Sequence, residues 1–457
     1  MIKLNSISTI NWKDVPITIL GAGKSGVASA HLAKFIGAKP FVSDTNDSKS
    51  LREKLSEFDF ELGGHSGKTF NAELMILSPG IPYSSTFVQK FVEKDIPIVS
   101  EIEFASWFTS SPILAITGSN GKTTTTNLLH LMISRKYNNS MLGGNIGIPF
   151  SANVHYELFH SLDNVVHVLE LSSFQLEHIY NFAPNIAGIL NISPDHLDRY
   201  SDLNDYANTK LNITKNIRES DFVVYNADDA FLLGKLKSVK CGKPFSTHKL
   251  SQTLFNFSEN TIFTSSDNVL VEMKETKLEG PHNIQNIVAA STMAKLFGIN
   301  DFDIASAVRE FSPIPHRLEF VAEIDCVKFY NDSKATNIAS TIAGITSFDK
   351  NLIVILGGKD KGSTDFTELA PYMKGRVKSI ITYGEAGEQI SQQLKAEFPT
   401  TYHWDFSEAF SRANDIAQKG DTVLLSPACA SFDQFDNYEH RGDVFKKLSH
   451  LLKEKCV

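Results

Sequence analysis

Short apolar runs alternate along this chain with stretches whose apolar residues recur every three or four positions, the pattern of strands alternating with amphipathic helices. From Ile17 the runs ITILGAG, KPFVSD, ELMILSPG and IPIVS read as strands, and SGVASAHLAKFIG, SKSLREKLSEF and FVQKFVEKD between them read as helices. A second series opens with PILAIT and continues through VVHVLELSS, NIAGILNIS and DFVVYNAD. The segment TLFNFSENTIFTSSDNVLVEM, rich in Phe and Thr, reads as antiparallel strands, and HNIQNIVAASTMAKLFG and DIASAVREF close the series as helices. After the two prolines of SPIPHR the alternation resumes in LEFVAEIDCVKFYNDS, NLIVILGG, VKSIITYGE and DTVLLSPA. This pattern predicts an α/β chain of three domains, each built on a mainly parallel, Rossmann-like sheet. The boundaries fall at 1–108, 109–312 and 313–457.

Length agrees, because 457 residues make roughly three domains at about 150 residues each. With 42% hydrophobic and 21% charged residues, the composition is that of a folded globular protein. The balance of 44 basic against 52 acidic residues gives a net charge of -8, and no basic cluster marks a nucleic-acid surface, so no nucleic-acid partner is expected. No stretch reaches the ~18 consecutive apolar residues of a spanning helix, and the N-terminus lacks an apolar targeting segment. A cytoplasmic protein with no membrane partner is expected. Cys241, Cys326, Cys429 and Cys456 are widely spaced, suggesting neither a disulfide framework nor a zinc site.

The chemistry starts at GSNGKTT, Gly118 to Thr124, between a strand and a helix. Bare amides at a helix N-terminus bind phosphate oxygens, Lys122 adds a point charge, and the Thr123 hydroxyl can hold magnesium. This predicts a P-loop-type ATP site in the central domain. The loop departs from G-x-x-x-x-G-K-[ST], since Ile116 stands at the first glycine position. Four successive threonines, poor helix formers, argue against a merely structural helix start. Glu170 falls at the carboxyl end of the strand in VVHVLELSS, the edge where open α/β sheets bind ligands, and is a candidate second magnesium ligand, or a helix-capping or surface carboxylate. NISPDHLDRY brings Asp195, His196 and Asp198 to the same edge. Lys210, in DYANTKLN, reads from its spacing as a surface lysine.

GSNGKTT, GGNIG, LELSSFQLE, NISPDHLDRY, HNIQN, PHRLE, NDSKATN, GGKDKG and SPACASFDQF follow one another in the order found in Mur ligases and span nearly the whole chain. On these motifs the chain resembles the Mur ligase family, the ATP-dependent amino-acid ligases of peptidoglycan precursor synthesis. GAGKSG and SPACASFDQF make it most similar to the branch that joins D-glutamate to UDP-N-acetylmuramoyl-L-alanine. The resemblance implies that Gly118, Ser119, Asn120, Gly121, Lys122, Thr123 and Thr124 bind ATP, with Asn286 at the adenine and Arg317 and Asp332 at the rest of the nucleotide. It implies catalytic roles for Lys122, Glu170, His196 and Lys210, and two Mg2+ ions at Thr123, Glu170, His196 and a carbamylated Lys210. Asn145, Ser172 and Gln175 match residues that hold the muramoyl-alanine end of the substrate. Lys334, Thr336, Ser431 and Tyr438 are the implied D-glutamate contacts, with one lysine of GGKDKG; Lys361 is favoured over Lys359. A monomer is implied.

GAGKSG, followed by Asp44 at the end of the next strand, fits the G-x-G-x-x-G dinucleotide pattern. The same geometry suits any diphosphate joined to a ribose. The resemblance assigns it to the UDP portion of the substrate, with Gly23, Lys24, Ser25, Asp44, Thr45 and Gly80 nearby. Competing readings are less complete. Folylpolyglutamate synthase shares the phosphate loop but should lack the first domain. A nicotinamide-dependent dehydrogenase would leave GSNGKTT idle, and a nucleotide switch would need an N-K-x-D element, which is absent from the sequence.

Overall fold

The computed structural model describes residues 2–195, 199–248, 250, 252–278, 280–360, 362 and 364–455. The chain packs as two compact units: Met1–Ile192, Arg199–Glu275 and Gln285–Arg309 form the first, and Ser193–Asp198, Thr276–Ile284 and Glu310–Val457 the second.

The first unit holds two parallel sheets. One has five strands in the order Asp59–Leu62, Lys39–Asp44, Pro16–Leu20, Leu74–Leu77 and Ile98–Ser100. The other has six, in the order Gly242–Phe245, Phe222–Asn226, Ile186–Ile189, Ile113–Thr117, Val165–Glu170 and Asn139–Gly144. Parallel strands covered on both faces need continuous apolar runs, and Ile113–Thr117 and Val165–Glu170 are buried at every position. The expected antiparallel insertion forms a three-stranded sheet, Phe255–Ser258, Thr261–Thr264 and Val269–Glu272. Its first turn places Glu259 and Asn260 at positive φ, which suits the twist of a two-residue hairpin.

One apolar core runs through both parallel sheets, with Ile17, Ile19, Val99 and Phe104 from the first region and Phe150, Leu169, Leu171 and Phe182 from the second. The connecting segment is pinned by aromatic packing: Trp12 stacks on Trp107 at 5.8 Å and meets Phe104 and Phe108 edge-on. Buried Glu103 reinforces it, accepting from Trp107 Nε1 at 2.9 Å and from the amides of Tyr180, Asn181 and Phe182 at 2.7–3.0 Å.

The second unit carries a six-stranded sheet ordered Glu319–Ile324, Val327–Asn331, Thr422–Ala428, Leu352–Gly357, Val377–Tyr383 and Thr400–His403. Only the hairpin pairing of its first two strands is antiparallel. In every parallel sheet the carboxyl ends of the strands share one edge, so loops far apart in sequence gather there. Among the described residues no helix is long and apolar enough to cross a membrane.

Glu101, two residues before Glu103, is also buried, but only its Oε1 is bonded, to the Ser151 amide; Oε2 has no hydrogen-bond partner. Burial pushes its carboxyl from 4.5 up to about 7. The folded state therefore holds a proton that the unfolded chain releases, and stability should fall as pH rises from about 4.5 to about 7. In the Glu101→Gln variant this component should vanish, so the difference in unfolding free energy between the two proteins should change by on the order of 3 kcal/mol between pH 4.5 and 8 in the variant's favour. Denaturant unfolding at both pH values checks it, and parallel pH dependences would refute it.

Candidate active site

Ile113–Thr117 delivers the chain to Gly118 at the carboxyl edge of the central sheet. Gly118 and Gly121 have φ of 150° and 82°, a region that strains any side chain. At Gly121 a Cβ would also collide with Asn286 Oδ1. The helix Lys122–Ser134 starts at once, with no side chain bonded at its N-cap. An anion-binding turn needs amides aimed outward from a backbone that is itself held, and Asn191, at the end of the neighbouring strand, does the holding. Its carbonyl accepts from Ser119 N at 2.9 Å, its Oδ1 accepts from Asn120 N at 2.8 Å, and its Nδ2 donates to the Asn120 carbonyl at 3.1 Å. Lys122 Nζ lies over the loop, donating to the carbonyls of Gly118 and Ser119 at 2.8 and 2.9 Å. Thr123 to Thr126 are buried, and Thr125 Oγ1 donates to Asn286 Oδ1 at 3.2 Å. Asn286 thus packs beneath the loop.

Strand register sets Glu170 beside Ile116. The carboxylate is buried; Oε1 accepts from Asn145 Nδ2 at 2.8 Å, and Oε2 has no hydrogen-bond partner. An acceptor oxygen hidden from water and given no donor fits a hard cation, which takes oxygen ligands. Lys210 is buried on the helix Leu203–Leu211, its Nζ 4.5 Å over the Tyr206 ring. Ser119 Oγ donates to Tyr206 OH at 3.4 Å, which links Lys210 through one ring to the phosphate loop. His196 and Asp198 lie outside the described residues. Among the described residues no three His, Cys, Asp or Glu side chains form a metal cage. Magnesium requires none, because one or two carboxylates and substrate phosphates suffice. Glu170, with one bare oxygen, therefore fits a nucleotide-bound ion, whereas the ammonium of Lys210 as it stands does not.

Ser172 and Gln175 sit just beyond Glu170 and form a reciprocal capping box for the helix Ser173–Leu176, so their polar groups already brace that turn. The sequence reading missed Arg199. Its guanidinium grips Glu177 with Nε at 2.9 Å and Nη2 at 2.6 Å, donates from Nη1 to the Pro79 carbonyl at 3.0 Å, and lies 4.2 Å over the Phe174 ring. Its place in NISPDHLDRY was the available signal.

At the carboxyl edge of the five-stranded sheet, where strand order reverses, a cavity of about 650 Å³ is lined by all six residues expected there, Gly23, Lys24, Ser25, Asp44, Thr45 and Gly80. Asp44 is engaged with the backbone: Oδ2 accepts from Ala22 N at 2.6 Å and Oδ1 from Asn46 N at 2.7 Å. It braces the glycine turn. A Cβ at Gly26 would overlap the Gly21 carbonyl, so helix Lys24–Phe35 packs on the turn only with glycine there.

In the second unit, buried Asp332 accepts from Ser426 Oγ at 2.9 Å and from Leu318 N at 3.3 Å. Burial pushes its carboxyl up to about 7, against the pull of Ser426 and the Arg317 guanidinium. Lys334 Nζ lies 5.4 Å over the Tyr438 ring. Thr336 is half-buried and Ser431 is buried. Lys359 pairs its backbone with Ala430 in both directions, and its ammonium lies 3.8 Å from Glu385. Lys361 lies outside the described residues. Arg441, also missed, is fully buried and donates to Ser333 Oγ at 2.9 Å, the Ser333 carbonyl at 2.7 Å, the Cys429 carbonyl at 3.1 Å and Tyr383 OH at 3.2 Å. It thereby fixes NDSKATN against SPACASFDQF.

The chain matches three family models: a Mur ligase MurD-like N-terminal domain at residues 15–100, a Mur ligase middle domain at 116–294, and a Mur ligase glutamate ligase domain at 316–429. It is 40% identical over 448 residues to a UDP-N-acetylmuramoylalanine--D-glutamate ligase of Acidobacterium capsulatum, covering 95% of this chain and 96% of the relative. A ligase of the same name from Bacillus cytotoxicus is 38% identical, with 97% and 99% covered. Among solved structures, the fold is similar to a pseudomurein peptide ligase type C from Methanothermus fervidus, with TM-score 0.61, 18% identity and 97% and 100% covered. It is also similar to MurF ligase from Thermotoga maritima in complex with ADP, with TM-score 0.60, 16% identity and 91% and 96% covered. The chain belongs to the Mur ligase family.

Proposed function

We propose that this protein is an ATP-dependent ligase that joins D-glutamate to UDP-N-acetylmuramoyl-L-alanine in peptidoglycan precursor synthesis. The observation that carries the reading is the glycine-braced loop with Lys122 folded over it, one strand away from a buried Glu170 oxygen that no hydrogen bond satisfies. Near full-length similarity to ligases of that name supports the choice of substrates. The region 1–108 takes the uridine diphosphate, 109–312 the ATP, and 313–457 the amino acid. The protein works as a cytoplasmic monomer on small-molecule substrates.

In this mechanism an oxygen of the L-alanyl carboxylate attacks the γ-phosphorus and the bond to the β-phosphate oxygen breaks, giving an acyl phosphate and ADP. The D-glutamate nitrogen then attacks the acyl carbon, loses a proton, and phosphate leaves. Lys122 exchanges its carbonyl partners for phosphate oxygens, and the amides at the helix N-terminus, from Gly121 onward, hold the transferring group while Asn191 keeps those of Ser119 and Asn120. Thr123, Glu170, His196 and Lys210 hold two Mg2+ ions, whose charge offsets that of the phosphates. Lys210 acts as a carbamate, because an oxygen ligand suits a hard cation and an ammonium repels it. Asn286, Arg317 and Asp332 contact the nucleotide, and Asn145, Ser172 and Gln175 the muramoyl-alanine end. Lys334, Thr336, Lys361, Ser431 and Tyr438 position D-glutamate; holding the amine beside the acyl phosphate contributes about 7 kcal/mol or more.

Phosphate release with ATP, magnesium, UDP-N-acetylmuramoyl-L-alanine and each glutamate enantiomer tests the reading. Turnover is expected with the D form, and turnover with only the L form, or with a folate acceptor, would reject it. Lys122→Ala should lower kcat by about 10²-fold or more, the scale of one lost transition-state donor; retention of most of the rate would remove the loop from the chemistry. Lys210→Ala should be inactive and regain activity with added short carboxylates. An inactive variant that ignores them would count against the carbamate.

A further inference from the structure

Beside the glycine turn of the five-stranded sheet runs a polar chain to which none of the roles above has been given. Ser43 Oγ donates to Glu61 Oε1 at 2.8 Å, and Glu61 also accepts from the amide and hydroxyl of Ser66. Against the upward push of partial burial, the Ser66 and Ser43 donors hold the Glu61 carboxyl below its ordinary value, so it is an acceptor only. A hydroxyl has one proton, and that of Ser43 is directed to Glu61. The 2.7 Å contact between Ser43 Oγ and His65 Nδ1 is therefore an Nδ1–H donating to the serine oxygen, and the neutral ring carries its lone pair on Nε2. Partial burial lowers the imidazole's affinity for a second proton. The ring is fixed by stacking on Phe87, centroids 4.6 Å apart and planes 26° apart. Both side chains line the 650 Å³ cavity with Thr45, Ser78 and Pro79. The protein's hydrogen bonds engage Nδ1 of His65 and leave Nε2 as the acceptor.

An acceptor nitrogen fixed on a residue that lines a cavity can discriminate between bases. Uracil carries a donor, N3–H, between two carbonyls, whereas cytosine carries a bare lone pair at N3. One base would pair with a lone-pair nitrogen and the other would be repelled by it. We propose that His65 is the specificity residue of this cavity, accepting a hydrogen bond at Nε2 from the ring N3–H of a uridine nucleotide. Ser43 and Glu61 act through it as positioning residues that set its tautomer. This rests on the assignment of the cavity to the UDP portion of the substrate.

Calorimetric titration of the full chain with UDP and with CDP tests the proposal. The unaltered protein should prefer UDP by about tenfold or more, the scale of one hydrogen bond gained against one opposed. His65→Phe keeps an aromatic ring against Phe87 but has no acceptor, so UDP binding should weaken by a similar factor and the two nucleotides should bind alike, at an unchanged unfolding temperature. Ser43→Ala frees the tautomer and should narrow the preference partway; it also carries the test if His65→Phe unfolds early. Wild-type preference in either folded variant would overturn the role of His65, as would a wild-type protein that binds UDP and CDP equally. A protein that binds neither nucleotide would overturn the UDP assignment itself, and this inference with it.

Discussion

A carboxylate oxygen that is hidden from water and has no hydrogen bond is among the most costly features a fold can retain, and Glu170 Oε2 is one. Its partner oxygen is held by Asn145, which leaves the other without a donor. Burial without a partner costs several kcal/mol for a charged group unless a cation or proton arrives. Much of the surrounding architecture bears on this one oxygen. The register that sets Glu170 beside Ile116 also sets it beside the strand that feeds the phosphate loop. Lys122, the loop amides and the carboxylate are thus brought to one edge by the sheet rather than by any local sequence.

The same device recurs at each of the three larger sheets, where a polar side chain satisfies the backbone of a loop so that the loop's other groups are left for a ligand. Asn191 does so for the phosphate loop, Asp44 for the glycine turn of the first sheet, and Arg441 for two loops of the second unit. A site preorganised in this way pays less reorganisation cost when charge develops, which is where much of an enzyme's electrostatic advantage lies. Arg441 shows how far the principle is taken: a guanidinium without surface exposure is kept inside, its donors bonded to carbonyls and hydroxyls.

The interior of the fold was legible and its margins were not. Strands such as ILAIT and LIVILG are buried on both faces and read as apolar runs, and VVHVLE is interrupted only by His167 before it ends in Glu170. The strands missing from the sequence reading, Asp59–Leu62, Asn139–Gly144, Gly242–Phe245 and Thr400–His403, all lie at sheet edges and are largely half-exposed. With so little of each buried, the apolar pattern has little to mark. The phosphate loop was legible because its chemistry is local, a glycine turn and a lysine within seven residues. The braces were not. Asn191 meets Asn120 across 71 residues and Arg441 meets Ser333 across 108, and within YEHRGDVFKKL the arginine looks like one more solvated charge. Asp44 was read as a ligand contact, and its present partners are backbone amides.

Buried carboxylates further show why burial alone does not mark a functional group. Glu101 and Glu103 lie two residues apart on one short helix, and both are hidden from solvent. Glu103 has each oxygen filled, by three successive backbone amides and an indole N–H; it is a structural tie that asks for nothing more. Glu101 keeps one oxygen bare, and burial drives its carboxyl toward the protonated form. Burial outweighs the donors that Ser151 offers, and the neutral acid keeps the bond from the Ser151 amide. Glu170 also has a bare oxygen, but it stands one strand from the glycine turn and Lys122, where in the proposed reaction a triphosphate would bring metal ions with it. In the proposed reaction the carboxylate to associate with catalysis is the one whose missing partner would arrive with a substrate, a distinction drawn by neighbours and not by depth.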